Sequence, residues 1–232
     1  MKLKKLPIGQ SSFKSIIEGN YLYADKTKDI YNLITSTQFN FLSRPRRFGK
    51  SLLISTLEEI FKGNKELFKG LWIYDSDYNW ESFPVIRLDM NSIDATSSDN
   101  LEKTLDGFLE DTAFSFGIEL KKDILKTKFQ ELVVKIHEKI GSHVVILIDE
   151  YDKPIISHLG RGEEGLEIAS KNRDILKNFY GTMKAASVIE KLRFVLLTGV
   201  SKFSKAGVFS ELNNLFDLTM DSKYSTLLGI TD

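Results

Sequence analysis

FNFLSRPRRFGKSLLISTLEEIFKG, residues 39–63, is the stretch whose reading decides the fold. Its first five residues, FNFLS, are apolar enough to predict a short buried strand. From Ser51 to Lys62, Leu53, Leu57, Ile60 and Phe61 recur at helical spacing, and Gly63 stands where a left-handed cap ends a helix. Between strand and helix lies RPRRFGKS, residues 44–51, in the setting a phosphate-binding loop requires. A triphosphate carries dense negative charge, so it needs converging backbone amides, the positive end of a helix and a cation. Gly49 lets the backbone come close, Lys50 reaches the β- and γ-phosphates, and the Ser51 hydroxyl takes one position on magnesium. Arg46, Arg47, Phe48 and Leu52 complete the segment expected around the phosphates. Arg44 stands where such loops usually begin with glycine; Pro45 biases it toward extended, allowed geometry. GKS alone also occurs by chance, with its lysine simply solvated, so the loop needs support from elsewhere in the chain.

Working outward, three β-branched apolar runs predict buried parallel strands: FPVIRLD at 83–89, HVVILIDE at 143–150 and LRFVLLTG at 192–199. DLTM at 217–220 is a shorter fifth strand. Helical spacing is evident over 122–140, where Leu125, Phe129, Leu132, Val133, Ile136 and Ile140 form one face. Lys126, Lys128, Lys135 and Lys139 fall mostly opposite, which predicts a solvated basic face. A third amphipathic stretch covers 164–190, with Leu166, Ile168, Ile175, Leu176, Phe179, Tyr180 and Met183 as its core residues. Residues 91–100 are small and polar and read as a loop. Strands alternating with helices predict an α/β fold, a three-layer α/β/α P-loop NTPase arrangement around a mainly parallel five-stranded sheet, folded as one domain over 1–232. Ligands of such sheets bind beyond the carboxyl ends of the strands.

That rule directs attention to VVILIDEYD, residues 144–152, where an apolar strand ends in adjacent carboxylates about 100 residues after the loop. Asp149 is expected to join Ser51 in holding magnesium, and Glu150 to polarise the water that attacks the γ-phosphate. Acids after a strand also cap helices; Asp152, with Pro154 following, suits that role. A strand lying between the other two would aim Thr198 or Ser201 at the γ-phosphate, although Thr198 and Gly199 equally make an ordinary turn. Arg161 and Arg173 are the arginines a homo-oligomer would offer in trans, against simple exposure. His137, His143 and His158 share no metal-ligand spacing.

Composition narrows the classes further. Lys plus Arg and Asp plus Glu both number 32, so bulk charge favours neither nucleic acid nor membrane. No cysteine is present, which excludes disulfides and thiolate chemistry and fits a cytoplasmic protein. The longest aliphatic run, Val144 to Ile148, is far short of the roughly 20 residues of a membrane span.

Five segments together resemble the AAA-ATPase-like proteins found widely in bacteria and some archaea: LPIGQSSFKSIIEGNYLYADKTKDI at 6–30, RPRRFGKSLL at 44–53, LIDEYDKPI at 147–155, LTGVSKFS at 197–204 and NNLFDLTMDSKYSTLLGIT at 213–231. In that family an arginine-containing loop is the usual form. The resemblance implies ATP as ligand, magnesium as cofactor and hydrolysis as the activity. It also implies that Asp25 to Thr27 pass near the adenine, while the residues themselves equally read Asp25 as a helix cap. Members often carry a C-terminal PD-(D/E)XK nuclease-like domain. LLGITD closes without a capping feature, so a lid or such a domain, with any sensor arginine, is expected beyond Asp232, and activity without it is expected to be slight. Three functions stay open: a magnesium-dependent ATPase driving an undefined process; a module that binds nucleotide without turnover; and a DNA- or RNA-binding protein with a vestigial loop, motivated by Arg44, Arg46, Arg47 and the basic helix face.

Overall fold

A computed structural model describes residues 4–201, 212 and 214–229. In chain order the regular elements are α1 (Phe13–Glu18), α2 (Thr27–Ser36), β1 (Phe39–Ser43), α3 (Lys50–Phe61), β2 (Val85–Asp89), α4 (Ser98–Ser115), α5 (Leu125–Ile140), β3 (Val144–Asp149), α6 (Lys153–Ile156), α7 (Gly162–Gly181), α8 (Ala186–Ile189), β4 (Leu192–Gly199) and β5 (Phe216–Asp217). The five strands form one sheet in the order β2-β3-β4-β1-β5, and every neighbouring pair is parallel. Helices cover both faces, so the α/β three-layer expectation is met.

The period of two along each strand explains the layering. In β3, Val144, Ile146 and Ile148 enter one core with residues of α4, α5 and α7, while Val145 and Leu147 enter a second core with residues of α1, α2 and α3. A strand buried on both faces must be apolar along its length, and β3 is from Val144 to Ile148, with Asp149 at its carboxyl tip. Register sets the carboxyl ends nearly flush: Ser43 lies opposite Gly199, Leu42 opposite Thr198, Ile148 opposite Leu197 and Asp89 opposite Asp149. All the polar residues at these strand ends therefore meet along one edge.

Several local expectations are corrected. Phe83 and Pro84 precede β2 rather than belonging to it; proline has no N–H for the ladder, and its carbonyl receives the Val145 amide at 2.9 Å. β5 ends at Asp217, whose carboxylate takes the Thr219 amide at 2.9 Å and turns the chain. The stretch 164–190 is divided: α7 stops at Gly181, a 3-10 turn covers Thr182–Lys184, and α8 follows. Leu166 is 56% exposed and Ile168 half-buried, so neither is core. α4 is an 18-residue helix that residues 91–100 do not announce; Ser97 caps it by accepting the Asn100 amide.

The basic face of α5 is also different from the expected solvated one. Lys128 is buried and sits 2.6 Å from Asp106 and 2.9 Å from Glu110 of α4. Lys135 reaches Glu131 and the Glu119 carbonyl, and Lys139 the Gly117 carbonyl. These ammonium groups fasten α5 to its neighbours. Glu131 completes the clamp by accepting the Lys121 and Lys122 amides, each at 2.9 Å. Burial works against its ionisation, but the Lys135 ammonium and the two amides prevail and hold its carboxyl down at about 2, against an ordinary 4.5. A depressed folded-state value means stability that is complete above the ordinary value and lost as pH falls toward 2. NMR titration should give a Glu131 midpoint near 2, and Glu131→Gln should remove part of the acid-induced destabilisation in that window; a midpoint near 4.5 would show that the clamp does not form.

Candidate nucleotide-binding site

The loop begins where β1 ends. The Ser43 hydroxyl donates to the Val200 carbonyl at 2.8 Å, and the Arg44 amide to the Gly199 carbonyl at 3.1 Å, so the loop leaves the sheet fastened to the end of β4. The Arg44 guanidinium donates to the Thr219 carbonyl at 2.6 Å and the Ser43 carbonyl at 3.1 Å. The arginine found in place of a first glycine thus ties the loop to the segment after β5. Arg46, Arg47 and Phe48 are exposed, and Arg47 adopts a left-handed φ of 67°. Gly49 follows at φ 91° and opens α3; a Cβ there meets nothing closer than Leu228 at 4.0 Å, so conformation and not space demands glycine.

Lys50 is 4% exposed, and its ammonium donates to the Arg44 and Pro45 carbonyls at 3.0 and 3.1 Å. The side chain therefore folds back over its own loop. Among the described residues, the amides from Arg46 to Leu52 donate to no acceptor; the first helical bond runs from the Leu53 amide to the Gly49 carbonyl. The result is a run of free donors at a helix N-terminus with a lysine beside it, an arrangement that favours anions. The half-buried Ser51 hydroxyl has no hydrogen-bond partner among the described residues.

Two strands away, Asp149 is buried at the tip of β3. Its Oδ1 accepts the Thr198 hydroxyl at 2.6 Å and the Glu150 amide at 3.1 Å, which leaves Oδ2 unengaged among the described residues. Thr198 is fully buried, with its hydroxyl committed to Asp149. Oxygen donors of these two kinds, the Ser51 hydroxyl and the Asp149 carboxylate, suit a hard cation such as magnesium with its remaining waters. Glu150 has φ 53°, a left-handed conformation that costs a non-glycine residue about 1–3 kcal/mol, and its half-buried carboxylate has no partner among the described residues.

Asp152 departs from its expected role. It occupies the residue before α6 but makes no side-chain cap bond; its buried carboxylate accepts the Val200 amide at 3.1 Å and the Ser201 amide at 2.6 Å. The Tyr151 hydroxyl donates to the Ser201 carbonyl at 2.8 Å, and the Tyr180 hydroxyl to the Tyr151 carbonyl at 3.1 Å. Burial pushes the Tyr180 phenol well above its ordinary value, with Tyr151 and Asp152 adding to the effect, so it stays a donor at neutral pH. Ser201 lies against this strap through its backbone; Lys202 to Ser204 of the LTGVSKFS segment lie outside the described residues, as do Asn213, Ile230 and Thr231 of the closing one.

A cavity of about 580 Å³ opens beside the loop, lined by Arg47, Phe48, Gly49 and Leu52 together with Leu6, Tyr23, Lys26 and Leu228 among others. Its size suits a small organic ligand, and its largely apolar walls suit a flat ring system. Burial pushes the Tyr23 phenol up to about 12, the Thr56 hydroxyl at 3.5 Å notwithstanding, so this wall stays neutral. Of the DKT segment only Lys26 reaches the cavity. Asp25 accepts the Thr27 amide and hydroxyl and the Trp72 amide, and the Thr27 hydroxyl accepts the Ile73 amide, so both brace a turn. A larger cavity, about 710 Å³, lies among α4, α5 and α7 on the opposite face and includes none of the loop residues.

This geometry agrees with what comparison with known proteins finds. The sequence profile of a family described as a predicted AAA-ATPase matches residues 7–209. The chain belongs to the AAA-ATPase-like family. It is 43% identical over 234 residues to an "Uncharacterized protein in vnfD 5'region" of Azotobacter chroococcum mcd 1, a match that covers 100% of this chain and 44% of that protein. The chain therefore spans less than half the length of that relative. Membership supports reading this AAA-ATPase-like chain as a nucleotide-binding, ATPase-like module. Among the described residues no helix is long and apolar enough to cross a membrane, and no group of three metal-ligating side chains occurs. His158 bonds the Ala95 carbonyl, and His137 the Ser142 carbonyl beside the His143 ring. Arg161 is exposed, and Arg173 bonds Asp174 and Ser170.

Tyr151, Gly199 and the cavity walls at 6–7, 22–24 and 227–229 are the features that sequence reasoning missed. Their only signal was the ordered set of family segments, which names them without saying what they touch.

Proposed function

We propose that this chain, as a single domain, binds ATP with magnesium and hydrolyses it in the cytoplasm. The observation that carries this reading is the run of undonated amides from Arg46 to Leu52 with Lys50 folded over the same loop. Those amides and the Lys50 ammonium bind the β- and γ-phosphates, while the base lies in the cavity against Tyr23 and Phe48. The Ser51 hydroxyl and the Asp149 carboxylate would hold magnesium, which would supply charge neutralisation at the phosphate oxygens. Thr198 fixes the orientation of Asp149 through its hydroxyl. Glu150 takes a proton from water as that water attacks the γ-phosphorus; the bond to the β-phosphate oxygen breaks, leaving ADP and inorganic phosphate. Arg44 and three of the four α5 lysines are bonded within the chain, which removes most of the cations that motivate nucleic-acid binding.

Calorimetric titration of magnesium-ATP into the protein and into Lys50→Ala tests the site, followed by phosphate release on the same samples. The parent is expected to bind, and the variant to lose affinity by about 10- to 150-fold, since a charge-assisted contact to phosphate is worth about 1.5–3 kcal/mol. Equal affinity in the two proteins would remove the loop from the reading. Binding without phosphate release would leave a nucleotide-binding module.

A further inference from the structure

Glu150 stands in a left-handed conformation with no side-chain bond of its own, so its carboxylate is aimed by whatever fixes the turn around it. The turn itself contributes the Tyr151 amide to the Thr198 carbonyl at 2.9 Å and the Lys153 amide to the Glu150 carbonyl at 2.9 Å. Neither bond sets where the turn lies relative to the end of β4 beyond Thr198. Asp152 does: a fully buried carboxylate that accepts two successive amides, Val200 and Ser201, from that strand's exit. Tyr151 adds the bond from its hydroxyl to the Ser201 carbonyl, and Gly199 is bare where the Tyr151 ring and Asp152 pass. The same strand exit is bonded to the phosphate loop, through the Ser43 hydroxyl to Val200 and the Arg44 amide to Gly199. A buried carboxylate is costly unless it is well bonded, and capping α6 would have been the cheaper use for it.

We propose that Asp152 is a positioning residue for the reaction: by fastening the acidic turn to the amides of Val200 and Ser201 it holds the Glu150 carboxylate at a fixed place relative to the phosphate loop. The proposal rests on the hydrolytic reading given above. Asp152 touches neither nucleotide nor water; it acts through Glu150.

The test measures magnesium-ATP affinity and steady-state phosphate release for the parent, Asp152→Asn, Glu150→Gln and the double variant, with thermal unfolding as a check of folding. Both short bonds end on Oδ2, so Asp152→Asn exchanges two charge-assisted bonds for neutral ones and sets an amide group in place of the Oδ1 that lies 3.4 Å from the Val200 N–H, which loosens the hold on the turn. Affinity is expected to stay within about threefold because the loop donors are untouched, while kcat falls about 10- to 100-fold, the effect of a misplacement near 1 Å. The double variant is expected to be no slower than Glu150→Gln, because a residue acting through another has nothing left to act on. Should Asp152→Asn fail to fold, Tyr151→Phe removes one bond of the same strap and is expected to show the same split, with affinity kept and kcat reduced. An unchanged kcat in the folded variant, or losses that multiply in the double variant, would overturn the positioning role while leaving the hydrolytic reading intact. Absence of turnover in the parent would overturn both.

Discussion

Glu150→Gln is expected to retain bound magnesium-ATP and to lose turnover by on the order of 10²–10⁴, the range contributed by a positioned general base. The amide has the shape of the carboxylate and the same tolerance of a left-handed φ, so the turn at 150–153 keeps its bonds to Thr198, Val200 and Ser201. What disappears is the ability to take a proton. Because the Glu150 carboxylate has no partner among the described residues, the change orphans no donor and costs little stability. Rapid mixing with ATP, followed by separation of bound nucleotide, should recover ATP from the variant and ADP from the parent. If the variant releases phosphate as fast as the parent, Glu150 is not the base. Asp149→Asn offers a contrast: it disturbs the acceptor of the Thr198 hydroxyl and the carboxylate proposed for magnesium, so binding and turnover are expected to fall together.

Gly199→Val carries the largest expected loss of stability. A Cβ at Gly199 would lie 2.4 Å from Tyr151 Cε1, 2.5 Å from Cδ1 and 2.7 Å from Asp152 Oδ1. None of these atoms is the free end of a flexible side chain. The Tyr151 ring is fully buried, packs edge-on against Phe41 at 5.5 Å between centroids, and is fixed at its hydroxyl end by the Ser201 carbonyl, while the Tyr180 hydroxyl holds the Tyr151 backbone carbonyl. Overpacking of this kind costs about 1–3 kcal/mol, and displacing Asp152 leaves the Val200 and Ser201 amides without their acceptor, adding a similar amount. A total of about 2–6 kcal/mol corresponds to a fall in Tm on the order of 10 °C for a chain of this size. Scanning calorimetry is the direct check. A Tm within about 2 °C of the parent would mean that Tyr151 moves freely and that the strap is not rigid.

Periodicity and short-range motif carried much of the architecture into the sequence. β3 had to be apolar from Val144 to Ile148 because both its faces are buried, and the Leu53, Leu57, Ile60 and Phe61 spacing of α3 marks the side it packs into the core; both patterns are visible in the chain. Gly49, Lys50 and Ser51 are adjacent residues whose geometry depends on one turn of backbone, so the loop was legible as well. α4 was not, since its long polar faces dilute the stripe of Leu101, Leu105, Leu109 and Ala113.

By itself, then, the sequence determined the strand and helix alternation, the sheet's burial on both faces, and a glycine-lysine-serine loop at a strand-to-helix turn, because each of these is written in residues a few positions apart. Only the tertiary structure decided that Arg44 binds the Thr219 carbonyl, that Lys128 is buried between Asp106 and Glu110, that Asp152 serves Val200 and Ser201 instead of α6, and that residues near 6, 23, 48 and 228 enclose one cavity. Those contacts join segments from about 20 to more than 170 residues apart, and no local pattern encodes a partner that only the order of strands in the sheet brings within hydrogen-bonding distance.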